Sequence, residues 1–451
     1  MRERSLGNDK TWLQGYMEYT KEYESPMLYH QWVGLITMAA SLRNRVYLTR
    51  GAAIHPNLYV VLVAGTATVR KSTAIKQGTD LSKQVPAVRH YRGTITGPSL
   101  IQSMRSDVPT SSDKRVAKKP AQEGTTINLN SVAGKREDSL FLVNDEMSTF
   151  MNEATRDSLE SNLTQLWTCQ PDWEYKTKTR GSAFLENTCL NMLLGTNPRW
   201  LSKSIGEDSF DGGFAGRVIW LFQSEPRQRN GWIKHGPERK DLEARLVEDL
   251  VHMSEHIAGE MGIEDSIREE FKLWDETRSR DVATSRMVGY NERKPETALK
   301  LAILLSISES DERIVRERHV RAAWDMLKTM EAYMPFAFRY IGTEDAAIGE
   351  EILNLLQEHH GEMLQRDLLK KVKNRLRNGK KQFEAILDLL DFIGDVSYSS
   401  SGTDPHAIIC LGKKQTEQAN QTTDLTQSLM YRAGAAGVSV VDENDAEIIG
   451  D

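Results

Sequence analysis

Three short, strongly apolar runs constrain the fold of this 451-residue chain more than any other feature. They cover residues 58–64 (LYVVLVA), 139–144 (SLFLVN) and 189–195 (CLNMLLG). The first is followed by a loop that starts with glycine, and the other two are followed by polar residues. Runs of this length between segments of helical spacing are typical of buried parallel strands joined by helices. With two helices expected within residues 10–48 and another over 71–84, the sequence predicts an α/β fold with a parallel sheet.

The composition narrows the classes of protein to which the chain can belong. Apolar residues make up 39% and charged residues 27%, as in ordinary soluble globular proteins. The net charge of −6 argues against binding of nucleic acid through bulk charge, so any contact with DNA must come from local basic patches. No apolar run approaches the roughly 20 residues of a membrane span, so we expect no membrane partner. Three widely spaced cysteines support neither a disulfide framework nor a zinc site, and a reducing cytoplasm is the expected location.

The loop after the first apolar run has the pattern of a nucleotide-phosphate cradle. The loop is Gly65, Thr66, Ala67, Thr68, Val69 and Arg70, and the next helix opens with Lys71, Ser72 and Thr73. In such a P-loop the backbone N–H groups surround the phosphates, the lysine neutralises their charge, and the hydroxyl holds Mg²⁺. The following helix directs its positive end at the same anion. The sequence therefore predicts ATP and Mg²⁺ as cofactors, with Lys71 on the phosphates and Ser72 on the metal.

One residue departs from the P-loop pattern. Arg70 stands where the pattern has glycine, so its side chain must point away from the nucleotide. An ordinary strand, turn and helix with a chance Lys-Ser-Thr is the alternative interpretation.

The second apolar run ends in an acidic pair. Asp145 would complete the metal shell, and Glu146 would polarise the attacking water. A solvated acidic turn after a strand is the alternative, but the pair follows the lysine loop in the order that a P-loop ATPase requires.

Two arginines and an asparagine complete the candidate catalytic set. Asn197 follows the third apolar run, and Arg217 directly precedes a predicted strand in GGFAGRVIWLF. An arginine at that position could reach the γ-phosphate of a neighbouring subunit. Arg293 precedes a predicted helix whose first turn holds Pro295. For Arg217 a strand-capping surface charge is the alternative, and for Arg293 a solvated charge at a helix start.

Taken in order, AGTATVRKS, VNDE, GTNP, AGRVIWLF and ERKPETALKLA resemble the ATPase core of minichromosome-maintenance-type AAA+ helicases. The stretches LYHQWVGLITMAASLRNRVYL and HPNLYVVLVAGTATVRKSTAI are similar to the phage and plasmid primase-associated replicative helicase family. The resemblance covers about residues 10–330. It implies an AAA+-like P-loop NTPase in which Asn197 senses the γ-phosphate, Arg217 is an arginine finger and Arg293 is a second sensor. It also implies a homo-oligomeric ring, most simply a hexamer, with a separate primase as a further partner.

The predicted organisation follows from these motifs and from shifts in composition. Residues 105–139 contain few large apolar residues, which indicates a mobile insertion. The expected parts are an N-terminal helical segment (1–50), the P-loop ATPase core (51–235), a helical lid (236–342), a winged-helix-like domain (343–412) and a disordered tail (413–451). The pattern from about 240 to 340 is helical throughout, and three helices and a hairpin indicate the winged helix.

Two basic regions are candidates for DNA binding. The segment QPDWEYKTKTRGSAFLEN predicts a β-hairpin with Lys176, Lys178 and Arg180 near its tip, suited to a single strand in a ring channel. An edge hairpin kept soluble by charge is the alternative. The basic run 366–381, which includes Lys380 and Lys381, suits duplex DNA at the winged helix, although Asp388 and Asp391 oppose DNA entry and protein docking is the alternative.

The function predicted from the sequence is an ATP-dependent DNA helicase or translocase of a phage or other mobile element. It would form a ring and act in DNA replication within the bacterial host cytoplasm. The alternative is an AAA+ helicase loader or origin-binding regulator that binds DNA and ATP without unwinding. The motifs alone do not choose between AAA+ and RecA-like strand orders.

Overall fold

The computed structural model describes most of the chain in two compact units, Met1–Ala337 and Phe338–Asp451. The described residues are 4–7, 10–64, 69–106, 131–132, 135–151, 155–177, 181–197, 201, 205–206, 208–211, 213–223, 226–233, 236–280, 285–338, 344–392, 396–398 and 407–411. Each unit is described by itself.

The described part of the first unit contains eleven helices and fourteen strands. The helices are α1 (Trp12–Tyr19), α2 (Met27–Leu42), α3 (Lys71–Ser82), α4 (Gly97–Met104), α5 (Met147–Phe150), α6 (Arg156–Leu166), α7 (Asp208–Asp211), α8 (Pro237–His256), α9 (Asp265–Thr277), α10 (Val288–Glu309) and α11 (Glu317–Phe338). The strands are β1 (Val46–Arg50), β2 (Ala52–Ile54), β3 (Tyr59–Val63), β4 (His90–Tyr91), β5 (Ser131–Val132), β6 (Lys135–Arg136), β7 (Ser139–Asn144), β8 (Asp172–Thr177), β9 (Gly181–Glu186), β10 (Cys189–Thr196), β11 (Ile219–Phe222), β12 (Gly259–Glu260), β13 (Gly262–Ile263) and β14 (Ile314–Val315).

The centre of the first unit is a five-stranded parallel sheet in the order β11-β3-β10-β7-β4. Every residue of β3, β7, β10 and β11 is buried, as expected for parallel strands covered on both faces. The three apolar runs of the sequence form β3, β7 and β10, so the prediction of an α/β fold with a parallel sheet is confirmed. Strand β11, the neighbour of β3 at one edge of the sheet, is the last of these five strands along the chain.

Helix α2 fastens the N-terminal segment to this sheet. It is almost entirely apolar, and 13 of its residues are buried, including Trp32 and Ile36. The Tyr29 hydroxyl donates a 2.7 Å hydrogen bond to the Val63 carbonyl at the end of β3. Helix α3 packs closely on α2 at Gly78, where an added Cβ would lie 2.4 Å from Val33 Cγ1. The two helices predicted before and the one predicted after the first strand are therefore confirmed.

The prediction that residues 240–340 are helical throughout was wrong at three short strands. Strand β12 pairs with β1 in parallel, and β13 pairs with β14. The Gly259 N–H donates to Arg45 O at 2.8 Å, and the Met261 N–H donates to Tyr47 O at 2.7 Å. These bonds join segments about 200 residues apart, so local periodicity does not reveal them.

The expected helix start at Pro295 was also wrong. Helix α10 begins at Val288, and Pro295 lies inside it. Proline removes one backbone hydrogen bond there. Tertiary contacts hold the earlier turns in place, because Arg278 Nη1 donates to Asn291 Oδ1 at 3.0 Å and Gly289 lies against the backbone of Gly216. This packing extends the helix beyond the start that Pro295 indicates in the sequence.

A buried lysine connects α10 to the sheet. Lys300 is 1% exposed, and its Nζ donates to Asn57 Oδ1 at 2.6 Å and lies 3.8 Å from the centroid of the Trp167 ring. Asn57 Nδ2 in turn donates to Trp167 O at 3.0 Å. Burial lowers the pKa of Lys300, and Glu296, one turn earlier on α10, opposes that shift. This contact fixes the amino end of β3 relative to the helices.

The described part of the second unit contains three helices and a three-stranded antiparallel sheet. The elements are α12 (Glu344–Glu358), β15 (Glu362–Leu364), α13 (Gln365–Val372), α14 (Gly379–Phe392), β16 (Val396–Tyr398) and β17 (Ile408–Leu411). Leu356, Phe383, Leu387 and Ile409 are fully buried in its core. The three predicted helices and the hairpin are present. Strand β15, which pairs with β17, was missed because three residues give no readable alternation.

Two predicted segments lie largely or wholly outside the described residues. Of the insertion 105–139, residues 105–106, 131–132 and 135–139 are described, and they include a short antiparallel pair, β5 with β6. The tail 413–451 lies wholly outside. Within the described part of the chain, no helix has the length and apolar character needed to cross a membrane.

His30 of α2 makes the stability of the first unit sensitive to acid. The ring is fully buried beside Tyr16 and Tyr23, and neither ring nitrogen has a hydrogen-bond partner among the described residues. Burial, with a further contribution from the charge of Arg227, lowers the pKa of His30 to about 3. The unfolded chain therefore binds a proton near pH 6.5, before the folded chain does, and stability is lost as the pH falls from about 6.5 towards 3.

We expect His30→Phe to remove part of this acid sensitivity. The phenyl ring retains the aromatic packing but binds no proton. At pH 5 the histidine costs wild type roughly 2 kcal/mol relative to neutral pH, since each unit below 6.5 is worth about 1.4 kcal/mol. Urea unfolding at pH 7.5 and pH 5 measures the effect. Equal losses of stability in the two proteins between these pH values would show that His30 is not the group responsible.

Candidate functional site

The hydrogen-bond register aligns the carboxyl ends of four strands at one edge of the sheet. Val63 of β3 pairs with Thr196 of β10 and with Phe222 of β11, and Leu194 of β10 pairs with Asn144 of β7. The segments that leave these strands therefore start side by side. In open α/β sheets this carboxyl edge is where ligands bind.

Lys71 is placed at this edge by the start of helix α3. Its Nζ donates a 3.2 Å hydrogen bond to the carbonyl of Ala64, the residue that follows β3, and so spans the loop between them. Burial lowers the pKa of Lys71, and the nearby charge of Glu146 opposes that shift. Ser72 and Thr73 follow in the first turn, with Ser72 exposed. Of the predicted loop, Val69 is buried, while Gly65, Thr66, Ala67 and Thr68 lie outside the described residues.

Arg70 stands where the loop pattern has glycine, and its backbone adopts a conformation that glycine accepts more easily than other residues. Its φ is 54° and its ψ 40°, in the left-handed region. The side chain is held by Glu24, with 2.6 Å between Arg70 Nε and Glu24 Oε2, and the Ser25 hydroxyl donates to Arg70 O at 2.8 Å. The Arg70 guanidinium lowers the pKa of the Glu24 carboxyl. The arginine side chain is therefore held by the loop between α1 and α2.

The acidic pair follows β7 at the same edge. Asp145 Oδ1 lies 3.2 Å from Nη2 of Arg92, a residue that directly follows β4. The backbone N–H of Glu146 donates to Asn144 Oδ1 at 3.1 Å, and Ser148 Oγ donates to Glu146 Oε1 at 3.2 Å. The fold thus brings Lys71 and Glu146 together. Sequence analysis missed Arg92, although its place after a strand end is the same signal that identified the acidic pair.

Strand β10 approaches the acidic pair closely. An added Cβ on Gly195 would lie 2.7 Å from Asp145 O and 3.1 Å from Ile75 Cδ1 of α3. Only a glycine leaves room for β10, the acidic turn and α3 to meet here. Asn197 directly follows β10, and its carbonyl accepts hydrogen bonds from Leu201 N at 2.9 Å and from Thr196 Oγ1 at 3.2 Å.

The oxygen donors at this edge suit magnesium. Ser72 offers a hydroxyl and Asp145 a carboxylate, and Mg²⁺ is usually held by one or two such protein ligands together with waters and substrate phosphates. Among the described residues there is no group of three histidine, cysteine or acidic side chains that would form a complete protein-only metal site. The donor set therefore fits a metal that arrives with a phosphate ligand.

Arg217 and Arg293 lie together at the opposite edge of the sheet. Arg217 ends a 3-10 turn, Ala215–Arg217, before the amino end of β11, where Ile219 pairs with Val60. Arg217 Nη1 donates to Gly213 O at 2.7 Å, and Arg293 Nη1 donates to Gly289 O at 2.9 Å. Burial lowers the pKa of Arg217, and the neighbouring charge of Arg293 adds to that shift. Strand β3, about 16 Å long, separates this arginine pair from Lys71 of the same chain.

The predicted hairpin is present as strands β8 and β9. Trp173 and Tyr175 stack with their ring centroids 5.6 Å apart, and Phe184 is 47% exposed. Lys176 pairs with Ser182 in the last part of the ladder. Lys178 and Arg180 fall in residues 178–180, which lie outside the described residues.

The basic run of the second unit is partly neutralised. Lys380 Nζ lies 3.1 Å from Glu384 Oε1, and Arg375 Nε lies 3.1 Å from Glu351 Oε2. Lys370 likewise pairs with Asp367 at 2.9 Å. Lys381 is exposed at the start of α14. This surface therefore carries less free positive charge than its composition indicates.

No protein-family model matches the chain, and no curated protein matches it either. The motifs and the geometry described above are therefore what supports a function for this chain.

We expect Gly195→Ala to destabilise the first unit by about 1–3 kcal/mol, because the new methyl group meets the rigid backbone of Asp145. Gly231→Ala is the matched control, since an added Cβ at Gly231 has nothing within 4 Å. Urea unfolding of both variants gives the comparison. Equal midpoints for the two variants would contradict the close approach.

Proposed function

We propose that this chain hydrolyses ATP at the carboxyl edge of its sheet and uses the energy to move along or unwind DNA as a ring. One observation carries the proposal: the register brings a lysine at the start of the helix after β3 to the same sheet edge as an acidic pair that follows β7, two strands away. That combination meets the needs of phosphoryl transfer, which depends on positioning and on neutralising phosphate charge. The sheet order, with β10 between the lysine strand and the acidic strand, places the β10 tip between them.

The residues at this edge would divide the reaction between them. Lys71 binds the β- and γ-phosphates, and the positive end of α3 favours the same charge. Ser72 and Asp145 hold magnesium, which neutralises phosphate charge when bound. Asp145 has two oxygens, so Oδ2 remains available while Arg92 holds Oδ1 in position.

Glu146 is the proposed general base. It accepts a proton from water while the water oxygen bonds to the γ-phosphorus and the bond to the β-phosphate oxygen breaks, which leaves ADP and phosphate. Asn197, at the tip of β10 between the other two strands, would contact the γ-phosphate or this water.

The arginine pair supports a site shared between copies. Arg217 and Arg293 lie at the amino edge of the sheet and cannot reach the phosphates held by Lys71 of their own chain. In a ring, the amino edge of one copy can face the carboxyl edge of the next. Two adjacent guanidinium groups would then stabilise the charge that develops on the γ-phosphate of that neighbour.

The hairpin supports DNA as the partner that is moved. Its exposed Phe184 ring and its predicted basic tip suit a single strand, which is held by phosphate contacts and base stacking. Displacement of one strand from a forked duplex separates a helicase from a loader, because a loader binds DNA and hydrolyses ATP without unwinding.

We expect Lys71→Ala to abolish ATP turnover while leaving the fold intact. The change removes the ammonium group that would neutralise the phosphate charge. The fold should remain, because Lys71 lies at the start of α3 and outside the sheet. Lys76→Ala is the matched control, because Lys76 lies on the same helix but pairs at the surface with Asp80. Phosphate release with and without DNA is the measurement. DNA-stimulated hydrolysis that persists in Lys71→Ala at the wild-type rate would refute the assignment of the site.

We expect Arg217→Ala to be inactive alone and to recover activity in mixed rings. A copy that carries Arg217→Ala keeps its own Lys71, so a neighbouring copy that supplies the arginine can complete that site. Mixing it with Lys71→Ala at equal amounts tests this, because each variant supplies what the other lacks. Arg321→Ala, at an exposed ion-paired arginine, is the control. A mixture as inactive as its two components would show that Arg217 does not act across a subunit boundary.

A further inference from the structure

One carboxylate ties three segments together beside the proposed phosphate loop. Glu24, in the loop between α1 and α2, pairs with Arg70 and accepts a 3.2 Å hydrogen bond at Oε1 from the backbone N–H of Asn230. The Glu24 carbonyl accepts a second bond at 2.9 Å from the N–H of Arg227. Glu24 thereby links the segment that follows β11 to Arg70, the residue that precedes Lys71.

An open pocket of about 490 Å³ lies between these segments. It is lined by Lys21, Glu22, Arg227, Gln228, Asn230 and Trp232. Its walls are cross-linked by side-chain amides: Gln228 Nε2 donates to Lys21 O, and Asn230 Nδ2 donates to Glu22 O, both at 3.1 Å. These bonds join the two segments that line this open surface pocket.

Trp232 lines this pocket and is 84% exposed. Among the described residues it is the most exposed of the large apolar side chains. Its backbone N–H donates to Asn230 Oδ1 at 3.1 Å, which fixes the turn that presents the indole. An indole this exposed offers a flat aromatic face to a ligand.

The strand order determines which way a bound nucleotide extends. The acidic pair follows β7, which lies on the β10 side of β3, and the γ-phosphate must face Glu146. The nucleoside end of the same molecule therefore extends from the phosphate loop to the other side of β3. That side is occupied by β11 and, further along the chain, by residues 226–233.

We infer that this pocket binds the nucleoside of the triphosphate, with Trp232 stacked on the base. The inference rests on the proposed function, because it uses the phosphate position given by Lys71 and Glu146. Lys21 and Arg227 line the pocket as two cations beside one anion, Glu22, and this net positive lining suits a ligand whose next group is a phosphate. The pocket amides donate to the protein's own backbone, so stacking, which every base permits, dominates recognition. Adenine and guanine nucleotides should consequently bind with similar affinity.

Calorimetric titration with ATP, GTP and inorganic tripolyphosphate, each with magnesium, tests the inference. We expect Trp232→Ala to weaken binding of both nucleotides about tenfold, the usual range for loss of one stacked aromatic, and to leave tripolyphosphate binding unchanged. Trp232→Phe should retain most of the affinity, since a phenyl ring also stacks. Leu273→Ala, at another exposed apolar residue, is the control and should bind all three ligands as wild type does.

The outcomes separate this inference from the proposed function. Wild type that binds neither ATP nor tripolyphosphate would overturn both. Wild type that binds ATP while Trp232→Ala binds it equally well would overturn the nucleoside pocket alone. Sedimentation of the same proteins covers the remaining case: a variant that loses self-association but keeps its ATP affinity would show that Trp232 contacts another copy of the chain instead.

Discussion

The hydrogen-bond register of the parallel sheet is the constraint on which the rest of the candidate site depends. The pairing of Val63 with Thr196 and of Leu194 with Asn144 leaves the carboxyl ends of β3, β10 and β7 level. A slip of one residue would turn the buried side chains of a strand to its other face and move Asp145 by about 3.3 Å. The strands are buried on both faces, and Gly195 leaves no space for such a slip beside Asp145. The packing that stabilises the core thus also positions the acidic pair relative to Lys71.

The two groups of candidate catalytic side chains lie at opposite edges of this sheet. Lys71, Asp145 and Glu146 occupy the carboxyl edge, whereas Arg217 and Arg293 occupy the amino edge. Burial lowers the pKa of Arg217, the like charge of Arg293 adds to that shift, and Glu296 of the same chain opposes it. Such an arrangement is more readily explained by an anionic partner than by stability alone. A phosphate on another copy of the chain is the partner that the proposed ring provides.

The sequence predicted those parts of the structure that local patterns encode. The three apolar runs form β3, β7 and β10, because a short apolar segment between helices is usually a buried strand. The strands β12–β14 were missed and the start of α10 was predicted wrongly, since these features depend on partners distant in the chain. Strand β15 was missed because it is too short to show alternation. In the site, Lys71 and Glu146 follow from motif order. Arg92 and Glu24 required the fold, because their partners Asp145 and Arg70 are 53 and 46 residues away.

Arg70 illustrates how a departure from a motif acquires a structural reason. A non-glycine residue in the left-handed region costs about 1 kcal/mol or more, so glycine would be the less strained choice. The ion pair with Glu24 is largely exposed, and exposed pairs contribute little to stability. Stability therefore does not account for the arginine. Its distinct effect is positional: the long cationic side chain reaches Glu24 Oε2, and Glu24 in turn bonds the segment that carries Trp232 through Arg227 and Asn230. The residue that weakens the match to the phosphate-loop pattern is thus the one that connects the phosphate loop to the proposed nucleoside pocket.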